Sequence, residues 1–169
     1  MLRKARRRLV RLLLTSLPAK TFDEAWIVIG YYELRWLIEE YHKALKTGCH
    51  VEGRQLKTAA RLEAMVGLMS VVAVRLLRLK SLARTNPEIR AQRVIPRVWL
   101  QMLKAARKGL NRVHDLTVGQ FYREVAKLGG FLGRKGDGEP GWITIWRGWE
   151  KLSTYVQAVS LASKLKLQT

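Results

Sequence analysis

Apolar residues along this chain recur mostly every three or four positions, and alternation with period two is scarce. The pattern predicts helices. A leucine-rich stretch, read as a short strand over Leu9 to Thr15, is closed by Pro18. Thr21-Phe-Asp-Glu24 then has the form of a capping box, whose side chains satisfy the free amides of a helix start. Its acids suit the positive end of the helix dipole. No proline follows until Pro87, and Gly48 is the natural stop, so one long first helix is expected between them. At 100° per residue, Ile27, Leu34, Ile38, Tyr41 and Leu45 fall on one arc about 60° wide, an apolar core face.

A second helix is expected over about 54–84, with Leu56, Leu62, Met65, Met69, Val72 and Leu76 near helical spacing. Met65 to Val74 reads as a buried part of it. Asn86-Pro87 ends it, and a third helix from Pro96 to Asn111 carries Trp99, Leu100, Leu103 and the basic Lys104, Arg107 and Lys108. Asp115 and Thr117, followed by Gln120, cap a fourth that ends at Gly129-Gly130. The glycine-rich loop from Gly133 to Gly141 lacks the Lys-Ser/Thr ending of a phosphate-binding loop and reads as a connection. Beyond it Trp142, Ile145, Trp146, Trp149, Leu152 and Val156 form an aromatic stripe on a last helix reaching about Lys164. The stripe suits either an intramolecular core or a subunit contact. There is no internal repeat.

Composition narrows the function. Of 169 residues 48% are hydrophobic, enough to bury a core. Lys and Arg number 32 against 13 acids, a formal net charge of +19. Such an imbalance calls for a polyanionic partner, nucleic acid first and an anionic membrane surface second. One cysteine, Cys49, excludes an internal disulfide and points to a reducing compartment. With three histidines it cannot build a Cys/His zinc site of usual spacing. No apolar run approaches the roughly 20 residues of a membrane span. The basic, leucine-containing start resembles a signal or transit segment, but Arg11 interrupts it, and a basic lead into a strand is the preferred reading.

The first helix carries the candidate chemistry. Set Tyr32 at zero, and Arg35, Glu39 and Lys46 fall with it in a stripe about 60° wide. One carboxylate between two cations and a phenol suits a metal held against phosphates: Glu39 as ligand, Arg35 and Lys46 on the DNA backbone. His42 lies on the same side as a phosphate contact, with Lys43 beside it. Glu40 falls near the margin. The plainer reading is a solvated face with an ordinary Arg35–Glu39 pair.

The string Tyr32-Glu-Leu-Arg35-Trp-Leu-Ile-Glu39-Glu-Tyr-His-Lys-Ala-Leu-Lys46 resembles the Tyr-Arg-Glu-Lys signature of DDE transposases of a bacterial cut-and-paste insertion-sequence family, and matches it at every spacing. Val51 to Thr58, Leu128 to Gly133 and Gly141-Trp142 also resemble that family's C-terminal region. The resemblance covers nearly all of the chain beyond the first ten residues. It implies a mainly α chain: the C-terminal end of an RNase H-like α/β catalytic domain over 1–52, then a helical DNA-contact and dimerisation region over 53–169. It implies Glu39 as the catalytic, metal-binding glutamate, with Mg²⁺ or Mn²⁺ bound in the intact enzyme and none by this chain alone. Tyr32, Arg35 and Lys46 match residues on the transposon-end backbone, and His42 and Lys43 join them as DNA contacts. Trp36 beside them suits DNA, and suits core packing at least as well. The partners implied are double-stranded DNA and a second subunit, met through the C-terminal helix, with no membrane. The setting implied is bacterial cytoplasm, near the nucleoid.

The chain departs from that family in one respect that matters. The family's two aspartates should lie on strands upstream of Glu39, and the sole aspartate there is Asp23, inside a helix cap. One carboxylate cannot assemble a two-metal site, so the chain alone is expected not to cut DNA. Three functions stay open: a piece of a full transposase, a non-catalytic regulator that pairs with intact subunits and inhibits them, or a generic basic helical DNA-binding module.

Overall fold

The computed structural model describes residues 12–53 and 55–166, the last by its backbone alone. The basic lead, Leu9 to Arg11 of the expected strand, and Arg54 lie outside the described residues. Leu12 to Thr15 form no strand, and no strand occurs among the described residues. Six α-helices do: α1 (Phe22–Glu33), α2 (Arg35–Lys43), α3 (Ala59–Thr85), α4 (Arg97–Ala106), α5 (Val118–Leu128) and α6 (Trp142–Lys166). None is long and apolar enough to cross a membrane. The chain divides into two compact units, the first ending at Ile38 and the second beginning at Glu39.

In the first unit the capping box forms as its residues dictate. Thr21 Oγ1 accepts from the Glu24 amide, and Glu24 returns the bond to the Thr21 amide, both at 3.2 Å. The long first helix does not form. It breaks at Leu34, whose N–H turns to the carbonyls of Tyr31, at 3.2 Å, and Tyr32 instead of the one four residues back. No sequence signal marks that break, because leucine is a good helix former. Phe22, Trp26, Ile27, Leu34 and Ile38 are all more than half exposed, so the expected core face is uncovered over this stretch.

The second unit holds the core. After α2 the chain widens into a π turn over Ala44–Gly48, which the Cys49 N–H closes on the Ala44 carbonyl at 2.9 Å. This buries Ala44, Gly48 and Cys49. Cys49 is thus a small packed residue past a helix end, its thiol 3.7 Å from the Met69 carbonyl. α3 begins at Ala59, where Thr58 caps it, and its middle is half solvated: Leu68, Val71 and Val74 are exposed while Ala73, Leu76 and Leu79 are buried. The 65–74 segment is therefore one buried edge rather than a buried helix. α4 stops at Ala106, short of the expected Asn111: Arg107 is already extended, and Gly109, left-handed at φ +90, then starts the separate turn Leu110–Arg112.

α5 behaves as the sequence predicts. Thr117 and Gln120 exchange cap bonds at 3.2 and 3.0 Å, and the helix ends at Gly129. Its Val118, Phe121, Tyr122, Val125 and Ala126 share one buried face, each worth roughly 1–3 kcal/mol of burial. That face meets Trp142, Ile145, Trp146 and Leu152 of α6. Two glycines let the helices touch backbone to backbone: a Cβ on Gly148 would overlap the Val125 carbonyl, and one on Gly129 would overlap the Thr144 carbonyl. Trp149 of α6 stacks on Trp99 of α4, centroids 4.3 Å apart. The aromatic stripe is core, an outcome its periodicity left open.

Candidate functional site

The division between units falls inside α2, so Tyr32 and Arg35 belong to the first and Glu39, His42, Lys43 and Lys46 to the second. Within the first, the Arg35 guanidinium sits 5.5 Å from the Tyr32 ring centroid, a cation–π contact. Trp36 is about half exposed among the described residues. The helical arithmetic that aligned Tyr32 and Lys46 with Glu39 assumed one unbroken α-helix. Leu34 interrupts it on one side, and the π turn that carries Lys46 rotates each residue by less than 100° on the other. The residues that share an unbroken α-helix with Glu39 are Arg35, His42 and Lys43.

Glu39, His42, Lys43 and Lys46 are exposed. Lys46 pairs with Glu52 at 2.8 Å, and that bond raises its pKa. A pair so solvated is weak enough for a phosphate to displace. The neighbouring acid behaves differently. Glu40 accepts from Lys80 of α3 and from the Trp142 indole N–H of α6 at 3.1 Å, and Lys80 lies 4.4 Å above the Trp142 ring. The Lys80 bond, then its charge and the indole bond, hold the Glu40 carboxyl below its usual range against the cost of burial. Sequence reasoning separated the two acids by face and left the role of Glu40 unnamed. It is a tie between three helices.

Among the described residues no three His, Cys, Asp or Glu side chains gather to hold a metal ion. One carboxylate is not the oxygen cage of a divalent cation, so the described residues do not by themselves complete a site for the metal that the resemblance implies.

The sequence reading carried the last helix to about Lys164 but ended its apolar stripe at Val156. Beyond Leu152 the helix runs about 20 Å further at 1.5 Å per residue, and little of the chain covers it. Tyr155, Ala158, Val159, Leu161, Ala162 and Leu165 fall on one arc about 160° wide, with Gln157, Ser160, Ser163 and Lys164 opposite. Leu161 and Leu165 are 62% and 67% exposed. Exposed apolar residues gathered on one helix face are the kind of surface on which a partner packs.

Residues 71–166, more than half of the chain, match the family described as the transposase Tn5 dimerisation domain. The chain belongs to that family. The Tn5 match spans the second half of α3 through to the end of α6. It makes this a transposase C-terminal region, mainly helical, and it supports homodimer formation. The aromatic stripe is largely buried inside the unit, whereas the outer arc of α6 in this Tn5-type region stays exposed.

Proposed function

We propose that this chain is the C-terminal part of a DDE transposase, pairing two subunits through the outer arc of α6. The observation that carries the pairing is that arc, uncovered within the region that matches a transposase dimerisation domain. Glu39 is the catalytic carboxylate the chain contributes to a Mg²⁺ or Mn²⁺ site completed by two aspartates that this sequence does not carry. Tyr32, Arg35, Lys46, His42 and Lys43 are the DNA contacts, supported by their spacing in the Tyr-Arg-Glu-Lys pattern and by their positive charge. The exposed apolar face of α1, with Phe22, Trp26 and Ile27, is what an RNase H-like domain would cover.

The test is Glu39→Ala built into the intact transposase. Strand cleavage should fall at least about 1,000-fold, the scale of losing a catalytic group, while end binding and subunit pairing persist. Cleavage at the parental rate contradicts the assignment.

A second reading has a specific observation behind it: the second unit has a buried core of its own, whereas among the described residues no three His, Cys, Asp or Glu side chains gather as a metal site. In that reading the chain regulates, by pairing with intact subunits. Purified chain added to active parental transposase should then lower excision in proportion to its share of subunits, and unchanged excision excludes it.

A further inference from the structure

A cleft of about 500 Å³ opens between α3, α4 and α6, away from Glu39 and its neighbours. Its rim is basic. Arg75 and Arg78 lie one turn apart on α3, and Arg93 ends the short turn Ala91–Arg93. All three are exposed, and among the described residues no carboxylate pairs with any of them. Its floor is apolar and aromatic, made by Leu79, Ile95 and the stacked pair Trp99–Trp149.

Each half of that lining selects for something. Three unpaired guanidinium groups select for an anion with several oxygens, phosphate above all. An indole-floored cleft of this volume would be left half empty by a phosphate alone, and it favours a planar ring. A duplex offers only its phosphates here, since its bases are stacked inside. A single strand offers both, a charged backbone for the rim and an unstacked base for the floor. We propose that this cleft binds single-stranded DNA, the backbone on Arg75, Arg78 and Arg93 and one base against Trp99 and Trp149. The inference rests on the reading of the chain as a DNA-handling protein and adds a strand preference and a place.

The experiment compares a fluorescent twelve-nucleotide oligothymidylate with a duplex of the same length, titrated against the whole chain. Arg75→Glu with Arg78→Glu should weaken single-strand binding at least about 10-fold, the effect of losing one stacked base and its phosphates. Arg134→Glu with Lys135→Glu, the same charge change on the exposed loop after α5, should weaken it less than about 3-fold. An oligonucleotide carrying 5-iodouracil, irradiated in the complex, should attach to Trp99 or Trp149. Equal losses in the two double variants, or attachment elsewhere only, overturn the inference while leaving duplex binding, and so the DNA reading, intact. Displacement by polyglutamate as effective as by oligonucleotide of equal charge also overturns it, by making the cleft a site for acidic peptides. Wild-type chain that binds neither strand form sinks the DNA reading and the inference together.

Discussion

Two adjacent glutamates separate structure from function at the scale of single residues. Glu40 is half-buried beneath Lys80 and Trp142, so Glu40→Ala strands a cation that is only 12% exposed. Its loss should cost about 2 kcal/mol, as for a hydrogen bond to a charged group, read by urea denaturation. Glu39→Ala, on an exposed position, should stay within about 0.5 kcal/mol of the parent. The pH dependence follows from the same pair. Because the Glu40 carboxyl is held low, its contribution is present above the usual carboxylate range and is lost as acid titrates it, and Glu40→Gln should flatten that acid limb. Tyr122 acts at the other end. Burial, opposed by nearby Arg84 and reinforced by Glu139, pushes its hydroxyl up to about 12. The unfolded phenol ionises near 10, so stability is full below that and falls as pH rises toward about 12. Tyr122→Phe should remove this alkaline loss, with little effect at neutral pH because the bond to the Pro140 carbonyl is long, 3.5 Å.

At the scale of elements, the crossing of α5 and α6 depends on Gly148 and Gly129. Gly148→Ala drives a methyl into the Val125 carbonyl, part of a packed helix backbone that cannot step aside, and should cost about 3 kcal/mol or more. Gly67→Ala in α3 meets nothing within 4 Å and should stabilise by about 0.5–1 kcal/mol; denaturation midpoints of the two variants therefore move in opposite directions. Much of this architecture was legible beforehand. The caps at Thr21 and Thr117, the glycine stop of α5 and the start of α6 are local chemistry, and they stand where the sequence put them. The stop at Gly48 was legible, but the break at Leu34 was not, because no Gly or Pro marks it, nor was the widening of the last turn before Gly48 into a π turn. The aromatic stripe from Trp142 was legible as a stripe, but its partner was not: periodicity shows that a face is buried, not what buries it. The outer arc of α6 was readable at the same spacing, from Tyr155 to Leu165. The Arg75–Trp149 cleft joins residues from three helices, and no linear pattern announces it.

The molecule as a whole is described by two properties, a charge of +19 and an apolar arc left open on a helix of a transposase dimerisation domain. The first predicts steeply salt-dependent binding to DNA, whose affinity should fall about tenfold or more between 50 and 200 mM salt if several phosphates are neutralised. The second bears on the central claim, that two copies pair through α6. The most direct test is sedimentation of the chain beside its Leu161→Glu and Leu165→Glu double variant, at equal concentration and in salt high enough to suppress charge effects. The account predicts a dimer for the parent and a monomer of unchanged helicity for the variant, since two buried carboxylates in an apolar contact are costly and both positions lie outside the core. A parent that stays monomeric, or a variant that still pairs, contradicts it.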